Sequence, residues 1–307
     1  MQQPVRWLTA PTPVEPAPRL AAAIGLGPDD LLVKRDDLIG LGGGGNKVRK
    51  LEITCGQAVA EGARTLVTTG APQSNHARLT AAAGARLGLD VVLVLAGTPP
   101  ARAVGNLVLD ALFGAHIVWS GDRAPAETAA ATVKALAADG RAPFLIPFGG
   151  TTPESAGGYA TAARELLDQV PGLAHVVVSA GSGGTMAGLV SVLGPDRVLG
   201  VSCGAVSDAR ATVAALLEAM GTPVDPEALR IDTGQIGRGY PHLSDTTRAA
   251  MELAARTEGL AVDATYVGRA VAGLIAAASE GSIRPGERTV LVHTGGLPGL
   301  FGHPEVG

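Results

Sequence analysis

The chain has 307 residues, 46% hydrophobic and 17% charged, with a net charge of −4 and no basic stripe. That is material for one large domain or two ordinary ones with an aliphatic core, and it lacks the electrostatic footprint of a nucleic-acid binder. The amino-terminal stretch is broken by prolines and no run of 18 apolar residues occurs, so neither a signal segment nor a membrane span is expected. Cys55 and Cys203 have no metal-ligand spacing and fit reduced core thiols of a cytoplasmic protein.

In chain order, short Val/Leu/Ile runs alternate with Ala-rich stretches of helical length. The runs predict strands at 30–34, 65–69, 91–95, 116–119, 144–147, 175–179, 198–201 and 290–293. Continuous apolar strands of this kind suit a mostly parallel sheet covered on both faces. Between them the sequence predicts helices at 48–61, 74–87, 103–113, 124–138, 155–169, 186–193, 209–220, 244–258 and 268–280. The alternation is that of an α/β fold. A Gly/Pro/Thr/Ser-rich stretch at 143–158 is a candidate crossing point between domains, although the pattern alone does not require two.

The first chemical signal is Lys47, after Leu41-Gly42-Gly43-Gly44-Gly45-Asn46. Asn46 is a candidate helix cap. Val48 stands where a P-loop needs Ser or Thr, so nucleotide triphosphate binding is disfavoured. A lysine at a helix start feels the positive end of the helix dipole, and burial adds to that. Both favour the free amine, the form that attacks an aldehyde. An ordinary surface lysine is the plain alternative.

The next signal follows the strand at 65–69. Gln73-Ser74-Asn75-His76 opens an otherwise Ala-rich helix, where free N–H groups suit a carboxylate. Capping would explain Ser74 but not four polar residues in a row. Further on, the strand at 175–179 runs into Gly181-Ser182-Gly183-Gly184-Thr185 and then an apolar helix. Strand, glycine turn and helix make an anion cradle of backbone N–H groups. Met186 occupies the third-glycine position of a dinucleotide fingerprint, so a phosphate monoester fits better. Tyr240 lies in a Gly-rich loop, Tyr266 precedes a helix, and Tyr159 reads as packing. His293 reads as a hydrogen-bonded core histidine at least as readily as a catalytic one, beside Thr294.

Together these segments resemble the tryptophan-synthase-β-like (fold type II) pyridoxal-phosphate enzymes, and within them the D-cysteine desulfhydrase/1-aminocyclopropane-1-carboxylate (ACC) deaminase family. The resemblance runs from Val33-Lys34-Arg35-Asp36-Asp37-Leu38 through Gly44-Gly45-Asn46-Lys47-Val48-Arg49-Lys50, Gln73-Ser74-Asn75-His76, Gly105-Asn106-Leu107, Ile146-Pro147-Phe148-Gly149-Gly150 and Thr265-Tyr266-Val267-Gly268 to His293-Thr294-Gly295-Gly296. It implies pyridoxal 5′-phosphate as cofactor, held as a Schiff base on Lys47, which also shuttles the substrate Cα proton. Asn75 would bond the cofactor 3′-oxygen, Gly181 to Thr185 its phosphate, and Thr294 its pyridine nitrogen. Ser74 would hold the substrate carboxylate or move a proton, with Gln73, Asn75 and His76 as further substrate contacts. Tyr240 and Tyr266 match active-site tyrosines. A small domain at 50–150 inserted into a large one (1–49 and 151–307) and a homodimer are also implied.

ACC deaminases carry Glu directly after the tyrosine and lack the threonine of His-Thr-Gly-Gly. Here Val267 and Thr294 stand instead. A hydroxyl supports a weaker electron sink than a carboxylate does, and that still serves β-elimination of a good leaving group. The expected reaction is loss of a β-group such as thiol from a small amino acid, giving pyruvate and ammonia. Desulfhydrases normally have Thr at the position of Val267, which leaves L-cysteate sulfo-lyase and ACC deaminase as alternatives. A non-catalytic phosphate-ligand binding module is the rival of another class.

Overall fold

A computed structural model describes residues 5–306. Among them, ten strands form two separate sheets. The larger sheet is built from β1 (Val14–Pro16), β2 (Leu31–Lys34), β7 (Leu173–Ala180), β8 (Val198–Ser202), β9 (Arg230–Asp232) and β10 (Arg288–Val292), in the order β1-β2-β10-β7-β8-β9. Only β1 runs antiparallel to its neighbour. The smaller sheet, order β5-β4-β3-β6, is wholly parallel: β3 (Thr65–Gly70), β4 (Asp90–Leu95), β5 (His116–Trp119) and β6 (Pro143–Ile146).

Burial of both faces explains the unbroken apolar runs. On β7, Val176 and Val178 pack into a cluster with Tyr159, Leu166, Leu189 and Leu217, which lie on α6 (Pro153–Gln169), α7 (Gly184–Leu193) and α8 (Ala209–Ala219). Val177, of opposite parity, joins Leu20, Ala254 and Val271, which lie on α1 (Pro18–Ala23), α9 (Asp245–Glu258) and α10 (Val267–Ser279). The smaller sheet packs mainly against α2 (Lys47–Ala60), α3 (Asn75–Leu87) and α4 (Asn106–Leu112), with α5 (Pro125–Ala138) on its other face.

Every helix and strand expected from the pattern is present, with ends shifted by up to three residues. The pattern missed β1 and β9, each three residues long and at a sheet edge, α1, whose six residues open on Pro18, and the four-residue α11 (Leu297–Leu300). Cys55 and Cys203 are buried and unpaired. Among the described residues no helix is long and apolar enough to cross a membrane.

A buried polar cluster ties α2 to the larger sheet. Arg49 donates to both oxygens of Asp36 and both of Glu165, at 2.8–2.9 Å. Lys34 donates to Glu165 at 2.7 Å and to Gln169 at 2.6 Å, and Tyr159 donates to Asp36. The hydroxyl of Tyr159 is therefore a structural group, as its sequence context suggested. Charges this deep persist only when paired and fully hydrogen-bonded, and the cluster fixes the first turn of α2 in place.

Candidate active site

The carboxyl ends of β7, β8, β10 and β3 converge on one cleft, the usual ligand position in open parallel sheets. Lys47, the first residue of α2, sits where its two halves meet. The inner half is lined by Asn46, Asn75, Gly181, Ser182, Thr185, Tyr266 and Thr294, among others. The outer half is lined by Ser74, His76, Phe148, Tyr240 and Tyr266, among others. Residues far apart in sequence are thus brought around one amine.

The glycine loop follows β7 directly. Gly183 has φ of +82°, the left-handed conformation that glycine adopts without strain. A Cβ on Gly184 would meet Thr151 Cγ2 at 2.8 Å, and one on Gly181 would meet Tyr266 Cε1 at 3.1 Å. The close approach leaves backbone N–H groups, and the unpaired N–H groups of the first turn of α7, as the cradle surface.

Lys47 has no carboxylate partner among the described residues. Burial pulls its pKa down to about 8, against a hydrogen bond with Lys50 and the nearby Cys203 thiol, which favour the charged form. Lys50, three residues on and on the same helix face, was not singled out from sequence. It is fully buried and donates to Thr151 Oγ1 at 2.7 Å; Thr151 in turn bonds Ser182 Oγ at 2.7 Å. Its Nζ lies 3.3 Å from where a Cβ of Gly184 would be, at the mouth of the phosphate-type cradle. Burial, and then the charge of Lys47, hold it well below the usual lysine range. The i, i+3 spacing of the two lysines was the available signal.

Ser74 caps α3, its Oγ accepting from Ala77 N at 3.1 Å. Asn75 Oδ1 accepts from Asn106 Nδ2 at 3.0 Å. His76 is 2% exposed and faces Thr68, with Nε2 and Oγ1 2.8 Å apart. Thr68 spends its proton on Ile146 O at 2.8 Å, so His76 Nε2 carries the hydrogen and donates. Burial, and then the two lysines, hold this imidazole uncharged.

Two residues are placed differently from expectation. Gln73 turns away from the cleft: its amide donates to Val104 O at 3.0 Å and accepts from Asn106 N at 2.9 Å, which fixes the start of α4. Asn46 does not cap α2; its backbone is already helical (φ −54°, ψ −26°) and its Nδ2 reaches Thr185 Oγ1 at 3.2 Å.

Tyr240 and Tyr266 share a hydrogen bond of 2.6 Å, rings edge to face at 6.0 Å. Burial raises Tyr240 to about 12 and Tyr266 well above the usual phenol range, so both keep their protons. Thr294 lines the inner half, and its carbonyl accepts from Asn46 N at 3.0 Å. His293 bonds Ala261 O and Gly295 N, both at 3.2 Å, which is the core-histidine alternative.

The residues present fit pyridoxal phosphate: an unpaired amine, a backbone cradle with a second amine beside it, and a hydroxyl, Thr294, in the same cavity. Comparison with known proteins agrees. The pyridoxal-phosphate dependent enzyme family matches residues 6–295. A D-cysteine desulfhydrase of Klebsiella pneumoniae (strain 342) is 36% identical over 97% of this chain and 95% of its own length. A crystal structure of an ACC deaminase homologue superposes with a TM-score of 0.87 at 32% identity, covering 97% of this chain and 93% of that one. The processed form of threonine deaminase isoform 2 from Solanum lycopersicum, 20% identical, shares the fold with a TM-score of 0.65 over 93% of this chain and 79% of its own. The chain belongs to the pyridoxal-phosphate dependent enzymes and has the tryptophan-synthase-β-like (fold type II) architecture of its relatives.

Proposed function

We propose that this pyridoxal-phosphate dependent lyase eliminates a neutral β-substituent, a thiol foremost, from a small amino acid, in the manner of a D-cysteine desulfhydrase, and releases pyruvate and ammonia. The observation that carries this reading is the unpaired, partly neutral amine of Lys47 at the junction of a phosphate cradle and a small-substrate cleft. When bound, pyridoxal phosphate draws electrons from the substrate Cα.

The protein supplies binding, orientation and protons. Lys47 Nζ would hold the cofactor and, as a free amine, would take the Cα proton. The N–H groups of residues 181–185 would hold the phosphate, with Lys50 Nζ beside them as a further hydrogen-bond donor. Asn75 and Thr294, which line the same cavity, would fix the ring at its 3′-oxygen and pyridine nitrogen. Ser74 and the N–H groups that open α3 hold the substrate carboxylate. The Tyr240–Tyr266 pair, kept protonated, delivers a proton to the departing sulfur.

The outer half of the cleft bears on the leaving group. Besides Lys47, its lining includes no lysine or arginine, and His76 is held uncharged. A sulfonate would lack a counter-ion there, so a neutral thiol is favoured over L-cysteate. ACC ring opening is the second reading, supported by the likeness to the ACC deaminase homologue; fully buried Val267 in place of an acid weighs against it. We take 50–150 as a small domain around the smaller sheet and the rest as a large one, and the enzyme as a cytoplasmic homodimer, on the resemblance.

The test is product formation from D-cysteine, L-cysteine, L-cysteate and ACC. Pyruvate from a cysteine and little from cysteate is expected. α-Ketobutyrate from ACC as the main activity would overturn the thiol reading.

A further inference from the structure

Arg269 lies on the first turn of α10, is 1% exposed, and its hydrogen bonds among the described residues go only to backbone carbonyls. One arm of its guanidinium donates to Cys203 O, at the end of β8. The other donates to Gly239 O at 2.9 Å, Tyr240 O at 3.2 Å and His242 O at 2.8 Å. A buried cation satisfied by four carbonyls is an unusual use of an arginine. The three loop carbonyls belong to the turn that carries Tyr240, and they have no strand or helix to pair with. The turn is conformationally soft, with Gly237 at φ +60° and Gly239 at φ +126°.

Tyr240 must meet Tyr266 at 2.6 Å, and Tyr266 is fixed separately. Asp263, buried at the start of the same helix, accepts the N–H groups of Thr265, Tyr266 and Val267 at 2.9–3.1 Å. Asp263, just ahead of α10, and Arg269, on its first turn, therefore hold one tyrosine by its amide and the other by its carbonyl.

We infer that Arg269 is a positioning residue for the reaction: by gathering the carbonyls of 203, 239, 240 and 242 it sets the phenol of Tyr240 against that of Tyr266 over Lys47. This rests on the lyase reading for its assay, but not for its structural readout. Lysine in its place keeps the charge and loses the planar fork, so it cannot serve four carbonyls at once.

The experiment is a double-mutant cycle of Arg269→Lys with Tyr240→Phe, each variant assayed at full cofactor occupancy. Arg269→Lys should lower kcat about tenfold and change KM by less than about threefold. In the Tyr240→Phe background the same change should cost less than about twofold, because the phenol it positions is gone. Limited trypsin digestion of the apo-protein gives the independent readout. Cleavage after Arg238, whose side chain is 77% exposed, should be faster in Arg269→Lys than in wild type. Additive losses, an unchanged kcat, or unchanged cleavage after Arg238 overturn the inference.

Gly239→Ala disturbs the same turn and leaves the guanidinium in place. It supplies a second cycle if Arg269→Lys does not fold, and additive losses there overturn the inference equally. If wild type turns over none of the amino acids tested, the lyase reading fails while the digestion still decides whether Arg269 holds the loop.

Discussion

On one side of α2, Arg49 is saturated with acid: Asp36 and Glu165 take its guanidinium with four hydrogen bonds, and Lys34 shares Glu165. Burial alone would neutralise these carboxylates, yet Arg49 holds both below the usual range. On the cleft side of the same helix, Lys50 is fully buried and Lys47 partly so, and they meet hydroxyls, a thiol, a neutral histidine and each other. The decisive difference is the supply of carboxylates. Where acids accompany the cation, the result is a fixed brace. Where they are withheld, burial releases an amine able to form a bond.

That contrast can be broken from either side. Removing the reactive amine has the largest expected effect: Lys47→Ala should lose activity by about a thousandfold or more, with the fold retained in circular dichroism. Breaking the brace comes next. Arg49→Met strands buried Asp36 and leaves Glu165 to Lys34 alone, and should destabilise the protein by about 3–5 kcal/mol, read as a large drop in thermal midpoint. Supplying an acid on the cleft side tests the contrast directly. Thr151→Asp places a carboxylate beside Lys50 and should weaken cofactor binding by roughly 10–100-fold in an absorbance titration of the apo-protein. Unchanged affinity there would remove Lys50 from the phosphate end.

The smallest effect concerns a lone acid on the far side of α3. Asp110 is buried with neither oxygen hydrogen-bonded, and burial, against the pull of Arg78, raises it to about 7. A raised carboxyl stabilises the fold while protonated, and that stability is lost as pH climbs from about 4 toward 7. Asp110→Asn should therefore flatten the pH dependence of unfolding and raise the thermal midpoint by a few degrees at pH 8, where wild type carries the buried charge.

Much of this was legible in the sequence because it is local. Strand and helix alternation follows from apolar runs between Ala-rich stretches. The cradle follows from glycines at the end of a strand. Lys47 is readable as a lysine at a helix start. Other features depend on partners far along the chain. Gln73 reads as a ligand contact until Asn106, 33 residues on, claims its amide. Asn46 reads as a cap until Thr185, 139 residues away, takes its side chain. Arg269 looks like any helical arginine, because nothing nearby announces the loop it binds. The edge strands β1 and β9 are too short to show a period, and flanking prolines mask the first.

The central claim is that the cleft-side amine of Lys47 captures the cofactor because no acid keeps it charged. The direct measurement is the rate of pyridoxal-phosphate capture by apo-protein across pH, followed by borohydride reduction and peptide mapping. The rate should rise with pH through a midpoint of about 8, as the amine loses its proton, and the label should lie on Lys47. A midpoint above 10, near an ordinary lysine, or a label on Lys34, Lys50 or Lys134, would contradict the account.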